Sequence, residues 1–347
     1  MRYSEKTMSL IQHDVLIIGA GICGLVAAYH LKKQGYDVGV MDKSRGVGGR
    51  MATRRLPALK GQTPRVDHGA QYFTLRHADA LKLSADWETE GLIKSWPNLK
   101  PDETVYICPN GMTTLPKALG EEQQLYLGQK AIFIQACKEG PYRYKIRTET
   151  YEEYYCNTLV ITSPVPQSLE LLSQSDFKLT TDEKNQLTSV QYAPCIALLG
   201  TTSIPTHLGK PGGHQVKGHP VISWIADNEP KGVSPIGPSL TIQATPEWSR
   251  KFWEETPSVQ EEHLIDAASE WVSPNAWEHT EIKTWRYALV ESPLSQNHLS
   301  LTHDPHVLLA GDGFTGPRIE NAILSGLSVS KHIISNHPMS PPEVEDC

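Results

Sequence analysis

The sequence has few cysteines, and none is placed to form a cysteine pair or a zinc motif. Its 347 residues include six cysteines, none in a CxxC pair or at zinc-ligand spacing from histidine: Cys23, Cys108, Cys137, Cys156, Cys195 and Cys347. This pattern argues against a disulfide scaffold and against a metal site. A reduced, cytoplasmic protein fits it best.

The sequence also lacks an excess of positive charge and a long apolar run. Its formal net charge is -7, whereas nucleic-acid-binding domains are usually basic, so we expect no nucleic-acid partner. The apolar stretch 15–29 contains three glycines in a fixed order and leads into the chain without a small-residue cleavage site. We therefore predict neither a signal peptide nor a membrane span.

A β-α-β unit is predicted near the N-terminus. Residues 14–18 form an apolar strand, residues 23–34 have helical character, and residues 37–41 form a second strand, with Gly35 at the helix C-cap position. The connecting sequence GAGICG spans residues 19–24, which gives a G-x-G-x-x-G motif between a strand and a helix. Gly19 permits a tight turn, Gly21 lets the backbone approach a pyrophosphate, and Gly24 lets the helix pack against the strand. Phosphates would lie at the helix N-terminus, and Cys23 there is expected to have a lowered pKa, although packing is its main predicted role.

An acid and a second glycine-rich loop follow the second strand. Asp42 can accept hydrogen bonds from both ribose hydroxyls and would repel a 2′-phosphate, which argues against NADP in this site. Residues 45–50 read RGVGGR, and such a loop after the ribose acid suits a flavin nucleotide better than NAD. By itself, the loop could also be a solvated basic segment.

A third motif lies near the C-terminus. The apolar strand 306–310 leads into Gly311-Asp312, and a helix is predicted from about residue 320 to residue 334. Asp312 could bind a ribityl hydroxyl, and the helix start near Ile319 and Glu320 could face the flavin pyrimidine, where reduction builds negative charge. Alone, this segment could equally be an ordinary capped helix.

Together these motifs resemble the glutathione-reductase-type FAD proteins, and within them the amine-oxidase superfamily. The segment VDHGAQYF at residues 66–73 is similar to the third flavin-contacting segment of that superfamily. Three further segments, 105–112 (VYICPNGM), 244–249 (ATPEWS) and 283–288 (KTWRYA), resemble the bacterial renalase branch. The resemblance covers most of residues 14–334. The cofactor contacts expected from the motifs and the resemblance are Gly19, Gly21, Cys23, Gly24, Asp42, Lys43, Gly49, Arg50, Met51, Gly69, Ala70, Gln71, Ala131, Asp312, Arg318, Ile319, Glu320 and Ala322.

The resemblance implies an activity as well as a cofactor. Renalase-like enzymes oxidise 2- or 6-dihydro isomers of NAD(P) to NAD(P)+ by hydride transfer to FAD, and oxygen is reduced to hydrogen peroxide. The flavin carries that chemistry, so no catalytic side chain is assigned. No cysteine lies near residues 311–316, so FAD is expected to be non-covalent. The sequence also gives no assignable counterpart of the lysine that holds water near N5 in many amine oxidases.

Candidate substrate contacts come from three segments. Trp285, Arg286 and Tyr287 could stack on a nicotinamide dinucleotide and contact its phosphates, although a packed strand would have the same pattern. Tyr72 and Phe73 could wall the flavin ring or fill the core, and Trp224 is more typical of core. Two alternative functions remain open: an FAD-dependent amine oxidase or desaturase acting on another small substrate, and a non-catalytic FAD-binding sensor.

The expected fold is α/β: a Rossmann-like, glutathione-reductase-type FAD-binding domain with an inserted mixed-sheet α+β substrate domain. Residues 10–76, 104–170 and 296–335 are assigned to the first domain, and residues 77–103 and 171–295 to the second. Residues 1–12 are predicted to be a loose leader and residues 336–347 a disordered tail. The stretches 46–64, 203–219 and 227–238 are predicted to be loops. The sequence does not predict the oligomeric state.

Overall fold

The computed structural model describes residues 11–336, and its α/β architecture confirms the predicted fold class. The predicted leader and tail fall mainly outside these residues. Where they overlap, the structure corrects them: Ile11 and Gln12 belong to the first strand, and Asn336 ends the last helix. The domain boundaries given above remain a prediction.

Seventeen strands and nine α-helices are described within residues 11–336. The strands are β1 (Ile11–Ile18), β2 (Val38–Asp42), β3 (Thr53–Arg55), β4 (Arg65–Asp67), β5 (Lys94–Ser95), β6 (Tyr106–Ile107), β7 (Gln124–Leu127), β8 (Ala131–Ala136), β9 (Tyr144–Thr148), β10 (Glu153–Ile161), β11 (Gln191–Thr202), β12 (Gly213–Gln215), β13 (Ile222–Asp227), β14 (Ser239–Ala244), β15 (Trp277–Ser292), β16 (His298–Ser300) and β17 (Val307–Ala310). The helices are α1 (Ile22–Lys33), α2 (Ala78–Thr89), α3 (Thr114–Glu121), α4 (Val165–Ser173), α5 (Thr181–Ser189), α6 (Pro246–Lys251), α7 (Pro257–Ala267), α8 (Asp312–Thr315) and α9 (Ile319–Asn336).

An eight-stranded sheet forms the first layer of the structure. Its strand order is β16-β17-β10-β1-β2-β7, with β9 paired to β10 and β8 paired to β9. The central strands β17, β10, β1, β2 and β7 run parallel. Parallel strands covered on both faces have continuous apolar runs, and residues 15–18 of β1 are accordingly buried. The carboxyl ends of the parallel strands therefore meet at one edge of this sheet.

A five-stranded antiparallel sheet forms the second layer, in the order β12-β13-β14-β11-β15. Helices α6 and α7 cover it through an apolar cluster that includes Trp248 and Leu264. Its longest strand, β15, contacts Arg50 in the loop after β2, Arg54 on β3 and His68 in the loop after β4. The functional side chains described below lie mainly along these contacts.

Helices α1 and α9 pack together beside the first sheet. A side chain at Gly326 of α9 would collide with the carbonyl oxygen of Cys23 in α1, so glycine allows the two backbones to approach closely. Gly35 follows α1 with φ 91°, the left-handed conformation expected at a helix C-terminus. This packing fixes the N-terminus of α1 relative to the sheet edge.

The structure corrects two of the predicted loops. Residues 46–64 contain β3, which pairs with β4, and residues 203–219 contain β12, which pairs with β13. Both strands have three residues, which is too short for a two-residue side-chain alternation to be recognised in the sequence. Within residues 11–336, no helix is both long and apolar enough to span a membrane.

Candidate active site

Three loops and the end of β2 meet at the carboxyl edge of the parallel strands. The N–H of Gly19 donates to the carbonyl of Met41 at 2.7 Å, and the N–H of Thr162 donates to the carbonyl of Ile18 at 2.8 Å. The N–H of Gly48 donates to the carbonyl of Ala20 at 2.8 Å. The two glycine-rich loops are thus hydrogen-bonded to each other. In open parallel sheets, this edge is where nucleotides bind.

The three glycines of the first motif meet different surroundings. A side chain at Gly24 would collide with the carbonyl oxygen of Gly19, and one at Gly19 would collide with Thr162 while requiring an L-residue at φ 118°. A side chain at Gly21 would find no atom within 4 Å. Gly19 and Gly24 are therefore required by the protein's own packing, whereas Gly21 adjoins open space that a ligand can occupy.

The N-terminus of α1 faces this space. Gly21 occupies the N-cap position and offers no side-chain acceptor, and the first turn has no acidic residue. The N–H groups there suit a pyrophosphate. Burial raises the pKa of the Cys23 thiol to about 12 and outweighs its hydrogen bond to Ser325, so the expected lowering is wrong. Cys23 is a packing residue.

Asp42 lies at the end of β2 and connects the glycine loops. One carboxylate oxygen accepts from the N–H of Ala20 at 2.8 Å, and the other accepts from the N–H of Ser44 at 2.7 Å. Each oxygen keeps a second lone pair, which leaves capacity for ribose hydroxyls. The N–H of Gln129 donates to the carbonyl of Asp42 at 2.9 Å, so the segment leading to Ala131 lies beside it. Lys43 is exposed, and its Nζ donates to Gln167 Oε1 at 3.1 Å.

Arg50 and Asp312 join the second and third motifs. The guanidinium donates to both carboxylate oxygens at 2.7 Å, a bidentate geometry. Burial acts to lower the pKa of Arg50, but the charge and hydrogen bonds of Asp312 outweigh it, so that this pKa is raised. Arg50 also donates to the carbonyl of Ala288 on β15 at 3.4 Å. This pair therefore lies where the sheet edge meets the second layer.

The third predicted flavin segment lies against the second motif. The N–H of Ala70 donates to the carbonyl of Arg50 at 2.9 Å, and a side chain at Gly69 would collide with that same carbonyl. The carbonyl of Gly69 accepts from Gln243 Nε2 at 2.6 Å. Met51, next to Arg50, is buried beneath this contact.

A buried cation that the sequence did not predict lies behind this segment. Lys231 follows β13, and its Nζ donates to Asp67 Oδ2 at 2.8 Å, with both side chains fully buried. The sequence carries little signal for this pair, because β4 reads Arg-Val-Asp and does not mark Asp67 as buried. Which of the 32 lysine and arginine residues would pair with Asp67 could be determined only from the tertiary structure.

Aromatic rings of β15 pack against the loop after β4 and against β11. Trp285 stacks on His68 with a centroid distance of 5.2 Å, and its Nε1 donates to the carbonyl of His68 at 2.8 Å. Tyr287 packs edge-on against Tyr192 at 5.5 Å, and the Tyr192 ring lies 6.0 Å from the Arg50 guanidinium. We call Arg50, His68, Tyr192, Trp285, Tyr287 and Asp312 the sheet interface. His68 and Tyr192 had not been predicted as site residues.

Arg286 does not join the sheet interface. Its guanidinium lies 5.2 Å from the ring of Trp253 near α6, because successive residues of a strand point to opposite faces. The structure therefore separates Arg286 from Trp285 and Tyr287, with which the sequence had grouped it.

The remaining aromatic candidates pack close to one another. Tyr72 and Trp224 have ring centroids 5.4 Å apart, and Trp224 is 3% exposed beside Trp96. The Nε1 of Trp224 has no acceptor among the described residues. Phe73 is buried and stacks on Tyr106 at 5.7 Å. Trp224 and Phe73 thus have the burial of core residues.

The start of α9 is fixed by its own contacts. The N–H of Ala322 donates to the carbonyl of Arg318 at 3.1 Å, and Ile319 packs against the core. The carboxylate of Glu320 accepts from the backbone N–H groups of Arg76 and His77. Glu320 therefore holds the loop before α2. Two other α9 residues contact the Gly311 turn: Ser325 Oγ accepts the Gly311 N–H at 2.8 Å, and Asn321 Nδ2 donates to the carbonyl of Thr315 at 2.9 Å.

The residues present fit an FAD molecule. The open space at Gly21, the acidless N-terminus of α1 and the acceptor Asp42 suit a dinucleotide, and Asp312 is positioned farther along the same edge. Two cavities, of about 490 and 600 Å³, lie beside Arg76 and beside Tyr142, and their linings do not include the glycine motifs. The contacts, rather than cavity size, therefore locate the site. No group of three or more His, Cys, Asp or Glu side chains that could hold a metal occurs in the part of the chain that the structure describes.

Comparisons with known proteins agree with this reading. Residues 17–85 match the NAD(P)-binding Rossmann-like domain family, and residues 88–334 match the flavin containing amine oxidoreductase family. The chain is 27% identical to renalase of Mus musculus over 91% of this chain and 97% of that protein. It is 30% identical to the flavin-dependent L-tryptophan oxidase RebO of Lentzea aerocolonigenes over 28% of this chain and 21% of that protein.

Solved structures of putrescine oxidase share the fold. One of them, with putrescine bound, has a TM-score of 0.67 at 13% identity, and the match covers 94% of this chain and 100% of that one. The family match spans most of the chain and includes the Gly311-Asp312 turn and α9. The chain therefore belongs to the flavin-containing amine oxidoreductases, and it is a renalase-like, FAD-dependent oxidoreductase of that superfamily.

Proposed function

We propose that the protein oxidises 2- or 6-dihydro isomers of NAD(P) to NAD(P)+, with oxygen reduced to hydrogen peroxide. The similarity to renalase along nearly the whole chain supports this substrate class. When bound non-covalently, FAD supplies the hydride acceptor and passes the electrons to oxygen. The side chains of the sheet interface would bind and orient the substrate.

The charge beside the sheet interface, on Arg54, Glu281 and Lys283, carries the proposal. The interface carboxylate Asp312 is paired with Arg50. Glu281, on the same side of β15, is shared by two cations: its oxygens lie 3.0 Å from Arg54 Nε and 3.1 Å from Lys283 Nζ. Burial acts to raise the pKa of Glu281, but its hydrogen bonds to Arg54, Lys283 and His279 outweigh this and lower the pKa to about 2. The resulting excess of positive charge would attract the phosphates of a dinucleotide and repel a protonated amine.

The aromatic groups suit a flat, neutral dihydropyridine ring. The hydrogen bond from Trp285 Nε1 to the His68 carbonyl fixes the indole, which gives a preorganised stacking surface. Burial, aided by the charge of Lys283, lowers the pKa of His68 to about 4, so its imidazole is neutral at pH 7. Neither ring has to transfer a proton, because loss of a hydride converts the substrate directly to a pyridinium cation. Aromatic packing at this interface would also exclude water from the transfer.

Anaerobic mixing of the purified FAD-bound protein with 6-dihydro-NAD tests the proposal. We expect the visible flavin absorbance to bleach within seconds and NAD+ to appear, and admission of air should restore the absorbance and yield hydrogen peroxide. Putrescine and L-tryptophan serve as matched challenges, because relatives named for those compounds share the fold or part of the sequence.

The outcomes separate the alternatives. Bleaching by an amine or amino acid with no response to the dihydro isomers would contradict the proposal and favour an amine oxidase or desaturase. A protein that holds FAD and bleaches with none of these compounds would favour a non-catalytic flavin sensor. Comparison of the 2- and 6-dihydro isomers of NAD and NADP would then identify the preferred substrate.

A further inference from the structure

The ion pair of Lys231 and Asp67 connects the five-stranded sheet to the two-stranded β3–β4 sheet. Lys231 lies in the loop between β13 and β14 of the second sheet, whereas Asp67 ends β4 and begins the third flavin segment. Their charged atoms are 2.8 Å apart, and neither side chain has exposed surface. Burial lowers the pKa of Lys231, and the charge of Asp67 acts against that lowering.

Asp67 is held by many contacts as well as by the lysine. Its Oδ1 accepts from Thr53 Oγ1 at 2.7 Å and from the N–H of Met112 at 2.8 Å. Its N–H donates to Asn228 Oδ1 at 3.2 Å, and its carbonyl accepts from Thr241 Oγ1 at 2.8 Å. Residues from β3, from the loop before α3 and from the five-stranded sheet therefore determine where the third flavin segment begins.

Lys231 also determines how Gln71 is oriented. An ammonium group can only donate, and Nζ lies 3.4 Å from Gln71 Oε1, so the amide oxygen faces the lysine. The amide nitrogen then donates to the carbonyls of Asp67 at 2.6 Å and Gly69 at 3.2 Å. These bonds fold residues 67–71 into one compact turn that presses against Arg50.

A stability role alone gives no reason for a charged pair at this place. A buried ion pair loses much of its Coulomb energy to desolvation, and two apolar side chains of similar volume would often stabilise the fold equally well. Apolar side chains could not, however, orient Gln71 or restrain the carboxylate of Asp67. The directional contacts of Lys231 are therefore what the charge adds.

We propose that Lys231 is a positioning residue that holds Asp67 and Gln71 and thereby fixes residues 69–72 against the ring of bound FAD. The proposal rests on the proposed function for the substrate of its kinetic test, and on the resemblance of residues 66–73 to a flavin-contacting segment for the placement of these residues. Lys231 acts through the segment and has no predicted contact with the substrate. Its removal should alter the flavin's properties more than FAD retention, because the nucleotide contacts lie on β1, β2 and α1.

Two variants test this role: Lys231→Met, and the double variant Asp67→Asn with Lys231→Met. The first leaves Asp67 buried without its cation and should lower the melting temperature. The second removes both charges and should recover much of that stability. In both variants we expect FAD to bind stoichiometrically. The flavin midpoint potential should shift by at least about 30 mV, which corresponds to a tenfold change in the equilibrium constant of a two-electron couple. Anaerobic reduction by 6-dihydro-NAD should slow at least about tenfold, with little change in the substrate dissociation constant.

Lys145→Met is a matched control, because Lys145 forms an ion pair with Glu153 at 3.2 Å in the β9–β10 part of the first sheet. It should keep the wild-type potential and rate. A double variant with wild-type potential and reduction rate would overturn the proposal, since the pair would then only balance charge. Loss of FAD from both Lys231 variants would also overturn it. The midpoint potential is measured without substrate, so it tests Lys231 even if no dihydronicotinamide is oxidised.

Discussion

The nucleotide end of the site and the sheet interface are built in different ways. At the nucleotide end, backbone groups and glycines form the site, and the contacts among the two glycine loops and Asp42 are close in sequence: Ala20 and Asp42 are 22 positions apart. At the sheet interface, side chains form the site, and Arg50 meets Asp312 across 262 positions, while His68 meets Trp285 across 217. The first region is thus encoded locally, and the second exists only once both layers have packed.

The largest expected effect is on the free energy of unfolding, and it should differ between Gly24 and Gly21 at the nucleotide end. Gly24→Ala should destabilise the fold by roughly 3 kcal/mol, because its side chain would collide with the Gly19 carbonyl. Gly21→Ala should change the free energy of unfolding of the FAD-free protein by less than about 0.5 kcal/mol, because its side chain enters open space. Thermal denaturation measures both. Equal destabilisation would mean that Gly21 is also a packing residue.

The same glycine, Gly21, should be important for FAD retention. Gly21→Ala places a methyl group where the pyrophosphate is expected, so we predict weaker FAD binding without a change in fold. Flavin absorbance after dialysis, compared between Gly21→Ala and the wild type, measures this. Undiminished flavin content would contradict the assignment of the open space to the cofactor.

Asp42→Ala is expected to have the next largest effect. Loss of a charged acceptor for the Ala20 and Ser44 N–H groups, and for the ribose, should weaken FAD binding by about 2 kcal/mol, or roughly thirtyfold. Asp42→Asn keeps one carbonyl acceptor and should lie between the alanine variant and the wild type. Titration of the FAD-free proteins with FAD gives the constants. Equal affinities for all three would exclude Asp42 as a ribose contact.

A pH-dependent effect should arise at the sheet interface. His68 has a pKa of about 4 in the folded protein, below the ordinary value of 6.5, so the unfolded chain binds the proton first on acidification. His68 should therefore reduce stability progressively as pH falls from about 6.5 toward 4, by up to about 2 kcal/mol at pH 5. Denaturation of His68→Phe at pH 7 and pH 5 should show a smaller loss than the wild type. An identical loss would mean that His68 is readily protonated in the folded state.

Arg286→Ala should have the smallest effect on catalysis. The guanidinium packs on Trp253, away from Trp285, so KM for the dihydronicotinamide should change less than about twofold, whereas Trp285→Leu should raise it severalfold through lost stacking. Steady-state kinetics on both variants measure this. A large rise in KM for Arg286→Ala but not for Trp285→Leu would indicate that Arg286 contacts the substrate, as the sequence predicts.

The same contrast explains what could be predicted from the sequence. The G-x-G-x-x-G turn, Asp42 and the Gly311-Asp312 turn were recognisable because each motif adjoins a strand whose end it must follow. Lys231, His68 and Tyr192 could not be recognised in this way, because the neighbouring sequence does not indicate which distant side chain each one contacts. Arg286 could not be assigned from its neighbours either. Trp285 and Tyr287 are adjacent to it in sequence, but β15 directs Arg286 to the opposite face.

The pairing of β17 with β10 has a consequence for biosynthesis. Asp312 follows β17 and completes the bidentate contact to Arg50, so the flavin end of the site is assembled from residues that lie 262 positions apart in the chain. A nascent chain could form its first β-α-β unit on the ribosome, since its contacts are local, but it must wait for β17 before the central sheet is complete. Cofactor capture should therefore follow synthesis of β17 and Asp312, and flavin content would then report that the early and late motifs have assembled.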